Sequence, residues 1–142
     1  MAEITLRTDL SELTALAEFV DRFAAEAALP ADAAFQLNLV LEELVTNTIN
    51  HGQVAAGDEI RLRLERRGDV VEADLIDTGA AFDPRSLPPP ELDAPLESRS
   101  IGGLGVHLVR QFVDELEYRR EEDRNHVRLR KRIAASSAGG GS

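Results

Sequence analysis

Three groups of residues in this sequence have types and spacings that could do chemistry. Glu43, Asn47 and Asn50 stand at i, i+4 and i+7, so on a helix they share one polar stripe, with Glu42 about 100° away. A neutral oxygen donor beside a carboxylate suits a hard cation such as Mg²⁺. The same stripe also describes a solvated helix face. Asn is a mediocre helix former, and two of them near the end of a helix otherwise made of good formers weigh against that reading. Asp77-Thr78-Gly79 closes a hydrophobic run. Its carboxylate can cap the following loop, or it can accept a hydrogen bond from a ligand amine while Gly79 lets a flat ring approach the backbone. Gly102-Gly103-Leu104-Gly105 stands directly before a helical pattern. Closely spaced glycines expose backbone N–H groups where the helix dipole is positive, which suits phosphate; they can equally serve as a hinge.

The elements that must position these groups follow from periodicity. Glu3 to Arg7 alternates as a strand, and Asp9 with Glu12 forms a D-x-x-E capping pattern. Leu13, Leu16, Ala17, Val20 and Phe23 recur at helical spacing until Leu29-Pro30. Pro30 and Asp32 open a second helix to about His51, with Phe35, Leu39, Leu41, Leu44, Val45 and Ile49 as its apolar contacts. From Asp58 the period becomes two: Ile60, Leu62 and Leu64 alternate with Arg61, Arg63 and Glu65, a strand with one wet face. Arg67-Gly68-Asp69 turns the chain into a partner strand, Val70 to Ile76. A proline-rich loop from Asp77 to Ile101 has the length of a lid or binding loop. Beyond the glycines, a helix carries Leu108, Val109 and Phe112. Strands near Glu115–Arg119 and His126–Ile133 follow, joined by a polar turn from Glu121 to Asn125. The order of elements predicts a two-layer α/β sandwich with a mixed sheet over residues 1–133, and AASSAGGGS at 134–142 reads as a disordered tail or linker.

Composition removes several function classes. The 142 residues amount to one domain, and Lys+Arg 16 against Asp+Glu 26 leaves a net charge of −10. Cysteine is absent, which excludes disulfides, thiolate nucleophiles and Cys-ligated metals. Lys131 is the single lysine and lies between Arg130 and Arg132, so no Walker-type phosphate loop exists. The acidic balance argues against sequence-independent nucleic-acid binding. The three histidines, His51, His107 and His126, have no metal-binding spacing, and His51 reads as a helix cap. MAEITLRTDL lacks the features of a secretory signal, and no apolar run reaches membrane-spanning length. A soluble, cytoplasmic domain is expected.

The order, spacing and placement of the three groups resemble the GHKL ATPases, whose nucleotide-binding domain is the Bergerat fold: a mainly antiparallel sheet covered on one face by helices. ELVTNTINHG (43–52) resembles the family's N box, DTGAAFDP (77–84) its first glycine box, and GGLGVHLV (102–109) its second. The form of these motifs is most similar to the anti-sigma regulatory factors, which are serine/threonine protein kinases. The resemblance implies ATP and Mg²⁺ as cofactors. It implies Glu43 as general base toward a substrate hydroxyl, Asn47 as the Mg²⁺ ligand, and Asp77 as acceptor for the adenine amine with Gly79 beneath the ring. Gly102, Gly103, Leu104 and Gly105 would wrap the phosphates under a lid from Arg85 to Ile101. The implied partners are an anti-sigma-factor antagonist of the STAS type, a sigma factor and a second copy of the chain; neither nucleic acid nor membrane is among them.

Three positions depart from the family pattern. Ile101 and Gly102 stand where many members carry a basic lid residue, Asn125-His126 replaces a Gly-Thr at the last strand, and the lid is short and proline-rich. These departures set the alternative, an ATP-dependent protein-binding switch with little or no kinase activity. The catalytic domain of a sensor histidine kinase is disfavoured, because residues 1–42 contain no histidine. The acidic residues Asp114, Glu115, Glu117, Glu121, Glu122 and Asp123 read as a solvated edge or a face for a basic partner such as a sigma factor. Arg119, Arg120, Arg128, Arg130, Lys131 and Arg132 are expected to pair with them or to snorkel.

Overall fold

The computed structural model describes residues 1–51, 58–86, 109 and 111–133. The chain begins with β1 (Ala2–Arg7), a 3-10 turn (Leu10–Glu12) and α1 (Leu13–Glu26), then α2 (Ala31–His51). It continues through β2 (Glu59–Arg67), β3 (Val70–Asp77), a second 3-10 turn (Pro84–Ser86), β4 (Glu115–Glu121) and β5 (Arg124–Arg132). Val109, Gln111 and Phe112 are helical, and the Val113 N–H returns to the Val109 carbonyl at 3.1 Å. The second glycine group at 102–105, the lid beyond Ser86 and the 134–142 tail lie outside the described residues.

The five strands form one sheet in the order β1-β2-β3-β5-β4. Every pairing among the described residues is antiparallel, in keeping with the mainly antiparallel sheet that the resemblance implies, and the parallel pair of a mixed sheet is not among them. The connection from β3 does bring β4 back parallel to it, as a helical crossover does. The β4–β5 hairpin then folds inward, so β5 occupies the gap between them. Glu122 and Asp123 make that hairpin turn with φ of 54° and 62°, the positive values that a two-residue type I′ connection needs. The turn is thus tighter than the predicted Glu121–Asn125 span, and Asn125 belongs to β5 rather than to a loop.

Alternation divides the sheet into two faces. Ile60, Leu62, Leu64, Val71, Ala73, Leu75, Val127 and Leu129 point to the helices and are buried. α1 adds Leu16, Phe19, Val20 and Phe23; α2 adds Leu37, Val40, Leu41, Leu44 and Val45. Phe35, predicted as an apolar contact of α2, is 66% exposed instead. It stands about 200° from Leu37 around the helix, so a register that buries Leu37, Val40, Leu41 and Leu44 turns it outward. The other sheet face is charged. In register, Glu3, Arg63, Asp74, Arg128 and Glu117 form one row with alternating sign across all five strands. Beside it, Arg130 bridges Glu72 at 2.8 Å and Glu115 at 2.6 Å. Arg128 and Arg130 of β5 therefore meet acids, as expected, whereas Lys131 turns inward to Gln36 and the Phe112 carbonyl.

Helix ends tie the layers together. The predicted capping box at Asp9 and Glu12 is rearranged: Asp9 accepts from the Ser11 N–H at 3.0 Å and caps the 3-10 turn, while Glu12 accepts from the Arg7 N–H at 2.9 Å. α1 ends in a Schellman pattern, with the Leu29 N–H on the Ala24 carbonyl at 2.9 Å and the Ala28 N–H on Ala25 at 3.3 Å. The Arg66 guanidinium, at the end of β2, donates to the Ala27 carbonyl at 2.6 Å. The left-handed position of the Schellman motif is held by Ala28, φ 56°, where glycine is the unstrained residue. Ala28→Gly is therefore expected to stabilise the protein by about 1 kcal/mol, whereas Gly68→Ala, at φ 62° with nothing near its added Cβ, is expected to destabilise it by about as much. Urea midpoints at unchanged slope measure both.

Candidate functional site

α2 is at once the helix that fills the core and the helix that carries the polar stripe. Along it, Leu44 and Val45 belong to the apolar core, while Glu43 and Asn47 supply polar groups beside them. Asn47 is fully buried. Both atoms of its amide, and Oε2 of Glu43, are buried without a hydrogen-bond partner among the described residues. Asn50 is exposed, so the predicted stripe enters solvent at its last member. Buried polar groups without partners are rare in folded proteins and mark places where something else supplies the contact. The Glu43 carboxyl titrates far from its ordinary 4.5: burial pushes it up to about 7, the adjacent Asn47 amide works in the other direction, and Glu42 adds a smaller upward push.

The second half of the site lies at the end of β3. Asp77 is the last inward-facing residue of the strand and is 6% exposed. Its Oδ1 accepts the Gly79 N–H at 2.9 Å, an Asx-type turn that reverses the chain out of the sheet. Asn125, opposite Asp77 in the β3–β5 register, donates from Nδ2 to the same Oδ1 at 2.9 Å and to the Ala80 carbonyl at 2.9 Å. Arg120 on β4 donates to the Gly79 carbonyl at 2.7 Å. From there the chain runs to the Pro84–Ser86 turn, which packs against α2. The strand-end pair Asp77/Gly79 and the helix pair Glu43/Asn47 are joined by that loop.

Of the residues singled out in the sequence, Glu43, Asn47, Asp77 and Gly79 are described. Gly102, Gly103, Leu104 and Gly105 fall outside the described residues. Asn125, Tyr118 and Arg120 belong to the site as well; the sequence had marked Asn125 only as a departure from a Gly-Thr pattern and Arg120 as a cation that pairs with acids or snorkels, and had given Tyr118 no role. The available signal was the alternation of β5: Asn125, Val127, Leu129 and Lys131 share parity, so a polar Asn125 heads an inward-facing row. Among the described residues no group of three His, Cys, Asp or Glu could hold a metal by itself. Any cation here would be shared between the neutral Asn47 oxygen and a ligand.

Residues 6–131 match the histidine kinase-like ATPase domain family, and the chain belongs to that family. A curated relative, the serine/threonine-protein kinase BtrW of Bordetella bronchiseptica, is 34% identical over 107 residues, covering 72% of this chain and 73% of its own. Among solved structures, the RsbU and RsbW domains of Rv1364c from Mycobacterium tuberculosis superpose with a TM-score of 0.66 at 15% identity, over 93% of this chain and 31% of that one. The chain thus spans about a third of the latter protein. The histidine kinase domain of an Erythrobacter litoralis blue-light activated kinase gives a TM-score of 0.56 at 18% identity, over 91% and 63% of the two chains. These likenesses establish the GHKL fold, a five-stranded antiparallel sheet under helices. No helix among the described residues is long and apolar enough to cross a membrane.

The Glu43 shift has a consequence for stability. The unfolded carboxyl ionises near 4.5 and the folded one near 7, so the folded state holds the extra proton between those values. Stability then falls as pH rises through that window and levels above it. Glu43→Gln keeps the shape and removes the titration. The variant is expected to match wild type near about pH 4 and to exceed it by roughly 1 kcal/mol near about pH 8, after allowance for the carboxyl's partial exposure. Urea unfolding at the two pH values measures the difference.

Proposed function

We propose that this chain is an ATP-dependent serine/threonine protein kinase of the anti-sigma type, which phosphorylates a hydroxyl of a small antagonist protein. The observation that carries the reading is the buried pair on α2. A carboxyl poised near pH 7 stands beside an amide with no hydrogen-bond partner among the described residues, inside a family whose members bind ATP. A general base works best when its pKa lies near the operating pH. The naming of BtrW as a serine/threonine kinase supports the same reaction here.

In this reading Glu43 accepts the proton of the substrate serine or threonine. The freed oxygen bonds to the γ-phosphorus of ATP as the bond from that phosphorus to the β–γ bridging oxygen breaks, and ADP leaves. Asp77 accepts the adenine amine and Gly79 lies under the ring. Gly102, Gly103, Leu104 and Gly105 donate backbone N–H groups to the phosphates. The residues present fit a Mg²⁺ ion: Asn47 Oδ1 offers an unpartnered hard donor, and such an ion characteristically shares its ligands with phosphate oxygens and water. When bound, it would neutralise charge on the phosphates. Phosphoryl transfer asks the protein for positioning and electrostatics, which this set supplies. Holding a sigma factor through a separate surface is the partner-binding half of the proposal. The net charge of −10 favours a protein over nucleic acid for that role.

Incubation with labelled ATP, Mg²⁺ and antagonist proteins encoded nearby tests the reading. Wild type is expected to transfer label to a serine or threonine. Glu43→Ala should lose transfer by about 10²-fold or more while binding ATP within a few-fold, as removal of a general base does. Asn47→Ala should weaken Mg·ATP binding itself. ATP binding without transfer to any partner would assign the nucleotide-dependent switch instead, and no ATP binding would remove both.

A further inference from the structure

Asn125 does more than fill the end of β5. It is 2% exposed, and its amide is engaged at both ends. On one side stand only acceptors, the Asp77 carboxylate and the Ala80 carbonyl. On the other side the Arg120 guanidinium at 3.2 Å and the Phe82 N–H at 3.3 Å can only donate, and the Tyr118 hydroxyl joins them at 2.6 Å. The amide can therefore face only one way, with Nδ2 toward Asp77 and Oδ1 toward the donors. Asp77 Oδ1 thus receives two N–H groups, from Asn125 and Gly79, whereas Oδ2 makes no hydrogen bond with the described residues.

We propose that Asn125 is a positioning residue that sets base selectivity: by committing Oδ1 of Asp77 it leaves Oδ2 as a bare acceptor for the exocyclic amine of a purine. The proposal rests on the ATP reading above. A 6-amino group donates to such an oxygen, while a 6-oxo group sets acceptor against acceptor and is rejected. Tyr118 and Arg120 act one step further back by locking the amide. Asn125, which departs from a Gly-Thr pattern in the sequence, thus lies at the base end of the proposed site.

The test compares affinities of the full chain for ATP and inosine triphosphate in Mg²⁺, by titration calorimetry. The two nucleotides share sugar and phosphates and differ at the purine 6-position. Wild type is expected to favour ATP by about tenfold or more. In Asn125→Ala that ratio should fall at least about fivefold through lost ATP affinity, with inosine triphosphate affinity unchanged within about twofold. Tyr118→Phe, which removes only a hydroxyl at a half-buried edge position, should lower the ratio by about two- to threefold, and it decides the matter if Asn125→Ala does not fold. Equal losses for both nucleotides, or an unchanged ratio in the folded variants, would overturn the positioning role while leaving ATP binding intact. Equal wild-type affinities would overturn the selectivity outright. Failure of wild type to bind either nucleotide would remove the ATP reading together with it.

Discussion

The antiparallel pairing of β3 with β5 is the constraint from which the rest of the site follows. Its register sets Asp77 opposite Asn125, Leu75 opposite Val127 and Ala73 opposite Leu129. Side chains alternate across a sheet, so a slip of one residue on either strand would exchange its two faces. On β3 a slip would send Val71, Ala73 and Leu75 into solvent and bring Glu72 and Asp74 beneath the helices. The apolar rows and the charged rows therefore select the same register independently. The hydrogen bonds between Arg128 and Asp74 and between Arg130 and Glu72 fasten it from the outer face. The carboxylate at the end of β3 inherits its depth and direction from that choice.

α2 solves a different problem, that of holding polar groups where they lack partners. An unsatisfied buried donor or acceptor costs about 1–3 kcal/mol, so Asn47 and Glu43 oppose folding in the absence of a ligand. What offsets them is the apolar side of the same helix. Leu37, Val40, Leu41, Leu44 and Val45 are all 3% exposed or less, and full burial of each contributes about 1.5–3 kcal/mol. Concentrating core and polar pair on one element keeps the strain local and the geometry rigid. It also explains the raised Glu43 carboxyl, since the packing that excludes water from the core excludes it from the flank of the helix.

How much of this was legible in the sequence depended on whether the signal was local. Alternation in β2 and β3, helical spacing in α1 and the change of period near Asp58 are properties of contiguous residues, and those elements formed where expected. Glu43 and Asn47 were visible because one helix turn separates them, and Asp77 and Gly79 because they are adjacent. Phe35 was misplaced because hydrophobicity alone does not give helix register; only the tertiary choice of Leu37 and Leu41 as the inward row turned it out. The sheet looked mixed because a crossover ordinarily sets parallel neighbours side by side, and nothing local announces that the β4–β5 hairpin will fold into the gap. Asn125 was seen as a departure from a Gly-Thr pattern, but its role was missed for the same kind of reason. Next to Glu122-Asp123 it resembles a turn residue, and its role exists only once β5 lies against β3.

The distribution of cations ties composition to the site. Arg61, Arg119, Arg128 and Arg130 pair with carboxylates on the strands, and Arg120 is directed to the Gly79 carbonyl and to Asn125. The one lysine is buried: Lys131 Nζ donates to Gln36 Oε1 at 2.6 Å and to the Phe112 carbonyl at 2.9 Å. It joins β5 to α2 and to the end of the helical segment, satisfying a helix C-terminal carbonyl much as Arg66 does for α1. These side chains are thus committed to the scaffold. On the proposed reading, backbone N–H groups and a hard cation are means of compensating phosphate charge that remain open to a chain without a phosphate-loop lysine. An acidic protein can hold an anionic ligand on those terms because neither means depends on its net charge.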